Sequence, residues 1–471
     1  MRGQIDLSAS RMNALFAEHA LLPDGWARNV RLAWNSSGVL TEASKGATPD
    51  AQLAKAAGPV LPGMPNLHSH AFQRAMTGLT EYRAPGDNNF WGWRRLMYRF
   101  ALRLRPEELQ SIATQLYIEM LKCGYTSVCE FHYIHHDPHG RPYANRIELS
   151  ERIIAAAADA GIGLTLLPVL YEHSGFGQQP ALAEQRRFVS APDEMLKMLA
   201  ELGRAHPEHE RLRYGVAPHS LRAVSPDSLE RLVAGVTATD ASMPVHIHVA
   251  EQRGEVADSL AALGARPVTW LLDHCEVGER WCLVHATHMR AEESERLAGT
   301  GATVGLCPST EANLADGIFD AVGYFAAGGA WGIGSDSHVS VSVQEELRWL
   351  EYAQRLLHRT RNVLAGAAAS QVAEHLFLRA VSGGARASAR KIGGLAVGQC
   401  ADLLVLDTSG PDCSLPEPAL ALSAWIFGNH GHDGVRDVMV GGRWVVAAGH
   451  HAREESALRA YLRTRDALLE R

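Results

Sequence analysis

Eight short apolar, β-branched runs recur along the chain, alternating with stretches whose apolar positions follow helical spacing. The runs are VLPGMPNLHSH (60–70), TSVCEFH (126–132), IGLTLLPVLY (162–171), LRYGVAPHS (212–220), MPVHIHVAE (243–251), WCLVHATH (281–288), ATVGLCPST (302–310) and AWGIGSDSH (330–338). Between them, PEELQSIATQLYIEMLKCG (106–124) opens with proline and closes with glycine, the order expected at the two ends of a helix. RIELSERIIAAAADAG (146–161) and SPDSLERLVAGV (225–236) read as amphipathic helices too. Repeated alternation of this kind predicts parallel strands joined by crossover helices, and eight units predict a closed (β/α)8 barrel.

The flanks follow a different pattern. Residues 14–59 contain NVRLAWNSSGVLTEA, which reads as a hairpin around an Asn-Ser-Ser-Gly turn. Residues 392–449 contain IGGLAVGQCADLLVLD and VRDVMVGGRWVVAAG, short alternating runs broken by glycine. The expected architecture is therefore α/β. Residues 60–385 form a TIM-like barrel, and residues 1–59 and 386–471 supply the two parts of one small β-sandwich domain, the second part with a terminal helix. Residues 172–192, rich in Gly and Gln, form a long loop after the third strand and a candidate lid.

Polar side chains gather at the C-terminal ends of the runs: His68 and His70, His132 and Tyr133, His219, His248 and Glu251, His285, and Asp336. Barrels of this type build their active sites at that face. Random histidines would not choose one end of strand after strand. For 23 histidines in 471 residues roughly one H-x-H triplet is expected by chance, and three occur, at 68/70, 246/248 and 430/432. Residues two apart on a strand point to the same side, so His68 and His70 can face one metal ion. His248 and Asp336 can complete a site of catalytic type, which keeps a position open for substrate or water. His246, deeper on the same strand, reads as a core histidine.

Composition narrows the partners. A formal charge of −7 argues against nucleic acid and anionic membrane surfaces. No apolar stretch approaches the ~20 residues of a bilayer span. The first residues lack a basic segment followed by an apolar one, so a cytoplasmic location is expected. Seven scattered cysteines without a C-x-x-C suit reduced thiols in that compartment.

PNLHSH, HIHVAE, VHATH and GIGSDSH together resemble the motifs of the amidohydrolase superfamily, in its mononuclear deaminase branch. IGGLAVGQCADLLVLD is similar to the returning β segment of that family, with Cys400 where a charged residue is usual. The resemblance implies one metal ion per chain, zinc with Fe2+ as the alternative, held by His68, His70, His248 and Asp336. It implies that Asp336 also takes a proton from the metal's water, that Glu251 carries protons to the substrate nitrogen, and that His285 polarises the attacking oxygen or the tetrahedral intermediate. No lysine ends the fourth strand, so a lysine-bridged metal pair is not expected.

MPNLHSHAFQRAMTGLTE, FWGWRRLMY, CEFHYIHHDPHG and APHSLRAV are similar to the subfamily acting on N-formimino-L-glutamate in bacterial histidine degradation. This implies release of ammonia, with Gln73, Arg94, Tyr133, His219 and Arg222 touching the substrate, and a homodimer. Two arginines on separate loops also suit a dicarboxylate, because guanidinium binds carboxylate bidentately. Two other readings stand beside this one. A deaminase of a guanine- or cytosine-type heterocycle would want amide donors and stacking aromatics. A non-catalytic metal-binding barrel would have no use for a proton shuttle at Glu251.

Overall fold

The computed structural model describes residues 13–81, 90–366, 370–410, 413–428 and 434–470. The His430/His432 pair and the first twelve residues of the N-terminal stretch read for a leader lie outside these. The eight barrel strands are β1 Met64–Ser69, β2 Tyr125–His132, β3 Gly163–Leu170, β4 in two pieces (Leu212–Tyr214 and Ala217–Pro218), β5 Val245–Val249, β6 Trp281–His285, β7 Thr303–Leu306 and β8 Ala330–Ile333. β1 to β4 pair in parallel as one sheet, and β5 to β8 as another. Single parallel bridges join the two sheets. Val216 to Val245 and Ser220 to His248 link β4 with β5, and Ser69 to Asp336 links β1 with the end of β8.

Helix Pro106–Lys122 illustrates how the crossovers are encoded. Pro106 sits where no intrahelical N–H is needed, and Glu108 accepts the Arg105 N–H at 2.9 Å. Leu109, Ile112, Ala113 and Leu116 form the buried stripe, and Gly124 at φ 99° turns the chain straight into β2.

The seam between β8 and β1 is covered by helix Val372–Ser388, which carries a Gly383-Gly384 pair. A Cβ on Gly383 would lie 1.7 Å from the Trp331 carbonyl oxygen, and one on Gly384 2.8 Å from the Pro65 Cβ. The helix backbone thus lies directly against both strands.

Terminal segments form one continuous sheet of nine strands among the described residues. Leu403–Leu406 runs antiparallel to Val60–Pro62, which in turn runs parallel to Ala14–Leu22. This sheet has its own core, including Leu15, Val30, Leu32, Val60, Leu403, Val405 and Met439. The apolar run at 60–70, read as one strand, is therefore divided. Gly63 donates to the Asp402 carbonyl in the terminal sheet, while the next residue, Met64, donates to Gly124 in the barrel. Hydrophobicity alone does not mark that change of sheet, since both halves are fully buried. The run at 302–310 likewise ends as a strand at Leu306, because Pro308 opens a short helix to Asn313. All seven cysteines are free. No helix among the described residues is long and apolar enough to cross a membrane.

Gly383→Ala should therefore destabilise the protein by at least about 1–3 kcal/mol, the usual cost of overpacking, because backbone meets backbone there and neither side can yield. A thermal melt checks this. An unchanged Tm would mean that the helix can lift from the seam.

Candidate active site

Four ligand atoms meet at the C-terminal mouth of the barrel. The His68 Nε2 lies 3.1 Å from His70 Nε2 and 3.0 Å from His248 Nε2, and Asp336 Oδ1 lies 3.5 and 3.3 Å from the first two. Hydrogen bonds fix two of the ring tautomers. His70 Nδ1 donates to the Phe131 carbonyl at 3.0 Å and His248 Nδ1 to the His219 carbonyl at 3.1 Å, so their Nε2 lone pairs point inward. Burial pushes the His68 pKa down to about 3 and drives His70 and His248 the same way, keeping the three imidazoles neutral. Neutral lone pairs crowded at 3 Å are favourable only around a cation. Three imidazole nitrogens with one carboxylate are a donor set for a divalent transition metal.

The backbone is bent to present these groups. Ala250, His285, Ala286, Asp336 and His338 all hold positive φ, at or just beyond the ends of β5, β6 and β8. Such conformations cost energy in non-glycine residues and concentrate at functional sites. Asp336 N–H donates to the His68 carbonyl at 3.0 Å and His70 N–H to the Asp336 carbonyl at 3.2 Å. Gly334 permits that approach, since a Cβ there would stand 2.8 Å from the His68 Cβ.

Beside the cluster stand the two groups able to move protons. The Glu251 and Ala250 N–H groups both donate to Glu255 at 3.0 Å, which holds the turn after β5. Burial raises the Glu251 pKa against the pull of His285 and Arg222. His285 Nδ1 lies 3.3 Å from Glu311, and its Nε2 lies 3.8 Å from Glu251 and 3.9 Å from Asp336. Burial opposes a charge on this ring, yet the three surrounding carboxylates win and raise its pKa to about 10.

A small cleft opens over these residues, and Gln73, Arg94, Tyr133, His219 and Arg222 all line it. Gln73 Nε2 donates to the Tyr133 hydroxyl at 2.8 Å, and its buried Oε1 has no hydrogen-bond partner among the described residues. Arg222 is buried, and its Nε likewise finds none. Arg94 lies on helix Phe90–Arg103 rather than in a loop. It shares a buried face with Met97, Tyr98 and Ala101, at i+3, i+4 and i+7, while Arg95 points to solvent. His132 does not reach the cleft. Strand alternation sends Phe131 onto the metal-site rings and turns His132 to the other side, against His135. His246 is a core residue bonded to the Ala387 carbonyl at 2.8 Å. Segment 172–192 is an anchored wall of the cleft in its second half. The buried Arg187 donates to the Ala101, Leu104 and His136 carbonyls, and Phe188 packs on Tyr98, Tyr133 and Tyr171.

Comparison with known proteins places this architecture. The profile of the amidohydrolase family matches residues 60–445. The chain belongs to the amidohydrolase family. A second profile, the N-terminal domain of formimidoylglutamate deiminase HutF, matches residues 12–53. Formimidoylglutamate deiminase of Pseudomonas aeruginosa is 53% identical over 459 residues, spanning 98% of this chain and 100% of that protein. The 8-oxoguanine deaminase of the same organism is 30% identical over 407 residues, spanning 83% of this chain and 82% of that one. The crystal structure of an amidohydrolase from Brucella melitensis is similar with a TM-score of 0.91 and 47% identity, covering 97% of this chain and 99% of the other.

Sequence reading of this amidohydrolase passed over several carboxylates that support the site. Glu311 backs His285, Glu255 holds the Glu251 turn, and Glu130 clamps the turn after His70. Glu130 accepts from Ser69 Oγ at 2.5 Å, Ala71 N–H at 2.7 Å and Tyr117 OH at 3.1 Å. Burial pushes its pKa up to about 7 against those three bonds. An acid within the strand 125–132, the one carboxylate in that run, was the available signal for Glu130. Glu311 gave none, since nothing in the sequence ties it to His285.

Purified protein should carry a divalent transition metal whose removal by chelation lowers Tm. The scale is about 4 kcal/mol when free metal stands a thousandfold above its Kd. Replacing His248 by Ala should empty the site. Elemental analysis of both proteins tests this, and equal metal content in the variant would displace His248 from the ligand set.

Proposed function

We propose that the chain hydrolyses N-formimino-L-glutamate to N-formyl-L-glutamate and ammonia, with one zinc ion per chain at the His68, His70, His248 and Asp336 cluster. The observation that carries this reading is Arg222. It is buried in the cleft, near enough to Glu251 to lower that group's pKa, with its Nε unpartnered among the described residues. A buried guanidinium without full compensation is costly, and a substrate carboxylate supplies what is missing. Arg94 in the same cleft gives a second seat, so the chemistry favours a dicarboxylate. A purine or pyrimidine brings no carboxylate. The 53% identity to a formimidoylglutamate deiminase supports the same substrate, against 30% for the 8-oxoguanine enzyme.

A metal in the cluster supplies Lewis acidity, making water a nucleophile at neutral pH. The rest falls to the protein. Arg94 and Arg222 hold the two carboxylates and thereby fix the formimino carbon above the cluster. Asp336 takes the proton of the attacking water. Positively charged His285 offers its Nε2 hydrogen to the oxygen as that atom gains negative charge. Glu251, its pKa raised by burial, delivers a proton to the departing nitrogen. Both hydrogens of the water end on the departing nitrogen, the first through Asp336 and the second from the tetrahedral hydroxyl through Glu251. As that hydroxyl loses its proton the carbon–oxygen double bond closes, the carbon–nitrogen bond breaks and ammonia leaves, one water in and one ammonia out. No Ser or Cys nucleophile is needed. Fe2+ fits the same N/O donors as zinc. Free cysteines accord with a reducing cytoplasm, where we place the enzyme as a homodimer in histidine breakdown.

Ammonia release from N-formimino-L-glutamate should exceed that from 8-oxoguanine, guanine or cytosine. Arg222→Met should lower kcat/KM at least about thirtyfold at unchanged metal content, the size of one lost charge-assisted contact. Glu251→Gln should keep the metal and lose roughly 10²–10⁴ in kcat. Preference for a heterocycle, or an Arg222→Met enzyme of normal efficiency, would overturn the substrate assignment.

A further inference from the structure

The surroundings of Arg94 contain more than a guanidinium. Gln185, fully buried in segment 172–192, accepts the Leu182 N–H at its Oε1 at 2.7 Å. That bond fixes which way the carboxamide faces. Its Nε2 must then donate, and it reaches the Tyr171 hydroxyl oxygen at 2.7 Å and the Tyr98 hydroxyl oxygen at 2.8 Å. Arg94 Nη2 donates to the same Tyr171 oxygen at 2.9 Å, and its guanidinium lies 5.2 Å from the centre of the Tyr98 ring.

A phenol carries one hydrogen and can accept at its oxygen. Tyr171 and Tyr98 each already receive Gln185 and Arg94 as donors, so neither hydrogen can point back at Gln185 or Arg94. One hydrogen can pass between the two neighbouring hydroxyls, which leaves at least one for the cleft. Tyr98, Tyr171 and Arg94 all line that cleft. Burial holds the Tyr98 hydroxyl well above the ordinary phenol range, so it stays a donor. Phe188 packs on both rings with centroids 5.9 Å away, which keeps the pair in place. A donor-only cluster of this kind is matched by an acceptor-only group, and a carboxylate is one.

We propose that Tyr98 and Tyr171 join Arg94 in a single carboxylate seat, and that Gln185 is the positioning residue that turns the tyrosine hydrogens into the cleft. The proposal rests on the dicarboxylate reading of the substrate. It adds to that reading the device that sets hydrogen-bond polarity. Gln185 never touches the substrate; it acts through the two hydroxyls.

The test uses full-length, metal-loaded protein. Tyr171→Phe removes one oxygen from the seat. Gln185→Leu removes the donor, and Gln185→Glu keeps the shape but draws the tyrosine hydrogens toward itself. Each should raise KM for N-formimino-L-glutamate by roughly 10- to 100-fold, the scale of a hydrogen bond to a charged group, while kcat changes less than about fivefold. Gln185→Glu should be the most severe, and metal content should not change. A merely structural Gln185 would lower Tm and kcat together and would tolerate Glu best.

Glutarate, bound competitively and measured by calorimetry, separates the two levels of the argument. Wild-type protein inert toward N-formimino-L-glutamate, yet binding glutarate in a Gln185-dependent way, overturns the substrate and leaves the seat standing. Wild-type protein without glutarate affinity overturns the seat. So do variants with normal KM and normal glutarate affinity.

Discussion

Crowding of three imidazole nitrogens and one carboxylate oxygen at the barrel mouth is the constraint on which the rest depends. His68 Nε2 has two other Nε2 atoms within 3.1 Å, an arrangement that a shared cation makes favourable. The ligands come from β1, β5 and the turn after β8, so they meet only once the barrel closes. The closing hydrogen bonds are made by the ligands themselves. Asp336 N–H binds the His68 carbonyl and His70 N–H binds the Asp336 carbonyl. The seam between β8 and β1 and the metal cluster thus share the same residues, with the Gly383-Gly384 helix packed against that seam.

Charge is arranged around this centre by burial as much as by pairing. The ligand imidazoles are kept neutral by desolvation, which suits metal binding at neutral pH. His285, one strand away, is held positive by Glu251, Glu311 and Asp336 despite equal burial. Two histidine populations a few ångströms apart are therefore held in opposite charge states. The number of nearby carboxylates decides which is which. Across the cleft, Arg94 donates to the Tyr171 hydroxyl, while the Nε of Arg222 has no hydrogen-bond partner among the described residues.

Much of this was legible in the chain. Strand–helix alternation named the eight strands because parallel strands buried on both faces must be apolar throughout. The ligand candidates stood out because polar residues at strand ends are rare unless they serve the open face. The same logic failed where one pattern serves two structures. Residues 60–62 and 64–69 are equally buried, yet one part belongs to the terminal sheet and the other to the barrel. Arg94 was read as a loop residue, although positions 94, 97, 98 and 101 share the buried face of one helix.

By itself the sequence determined the barrel, the order of its strands and the residue types at their C-terminal ends, since local periodicity and side-chain chemistry are written residue by residue. Tertiary structure alone decided which of those end residues converge. It turned His132 away and Phe131 inward by strand alternation, brought Glu311 to His285 across 26 residues, and set Gln185 between two tyrosines from different elements. These pairings join groups distant in sequence through space. Their physical basis, burial and hydrogen-bond direction, does not exist until the chain is folded.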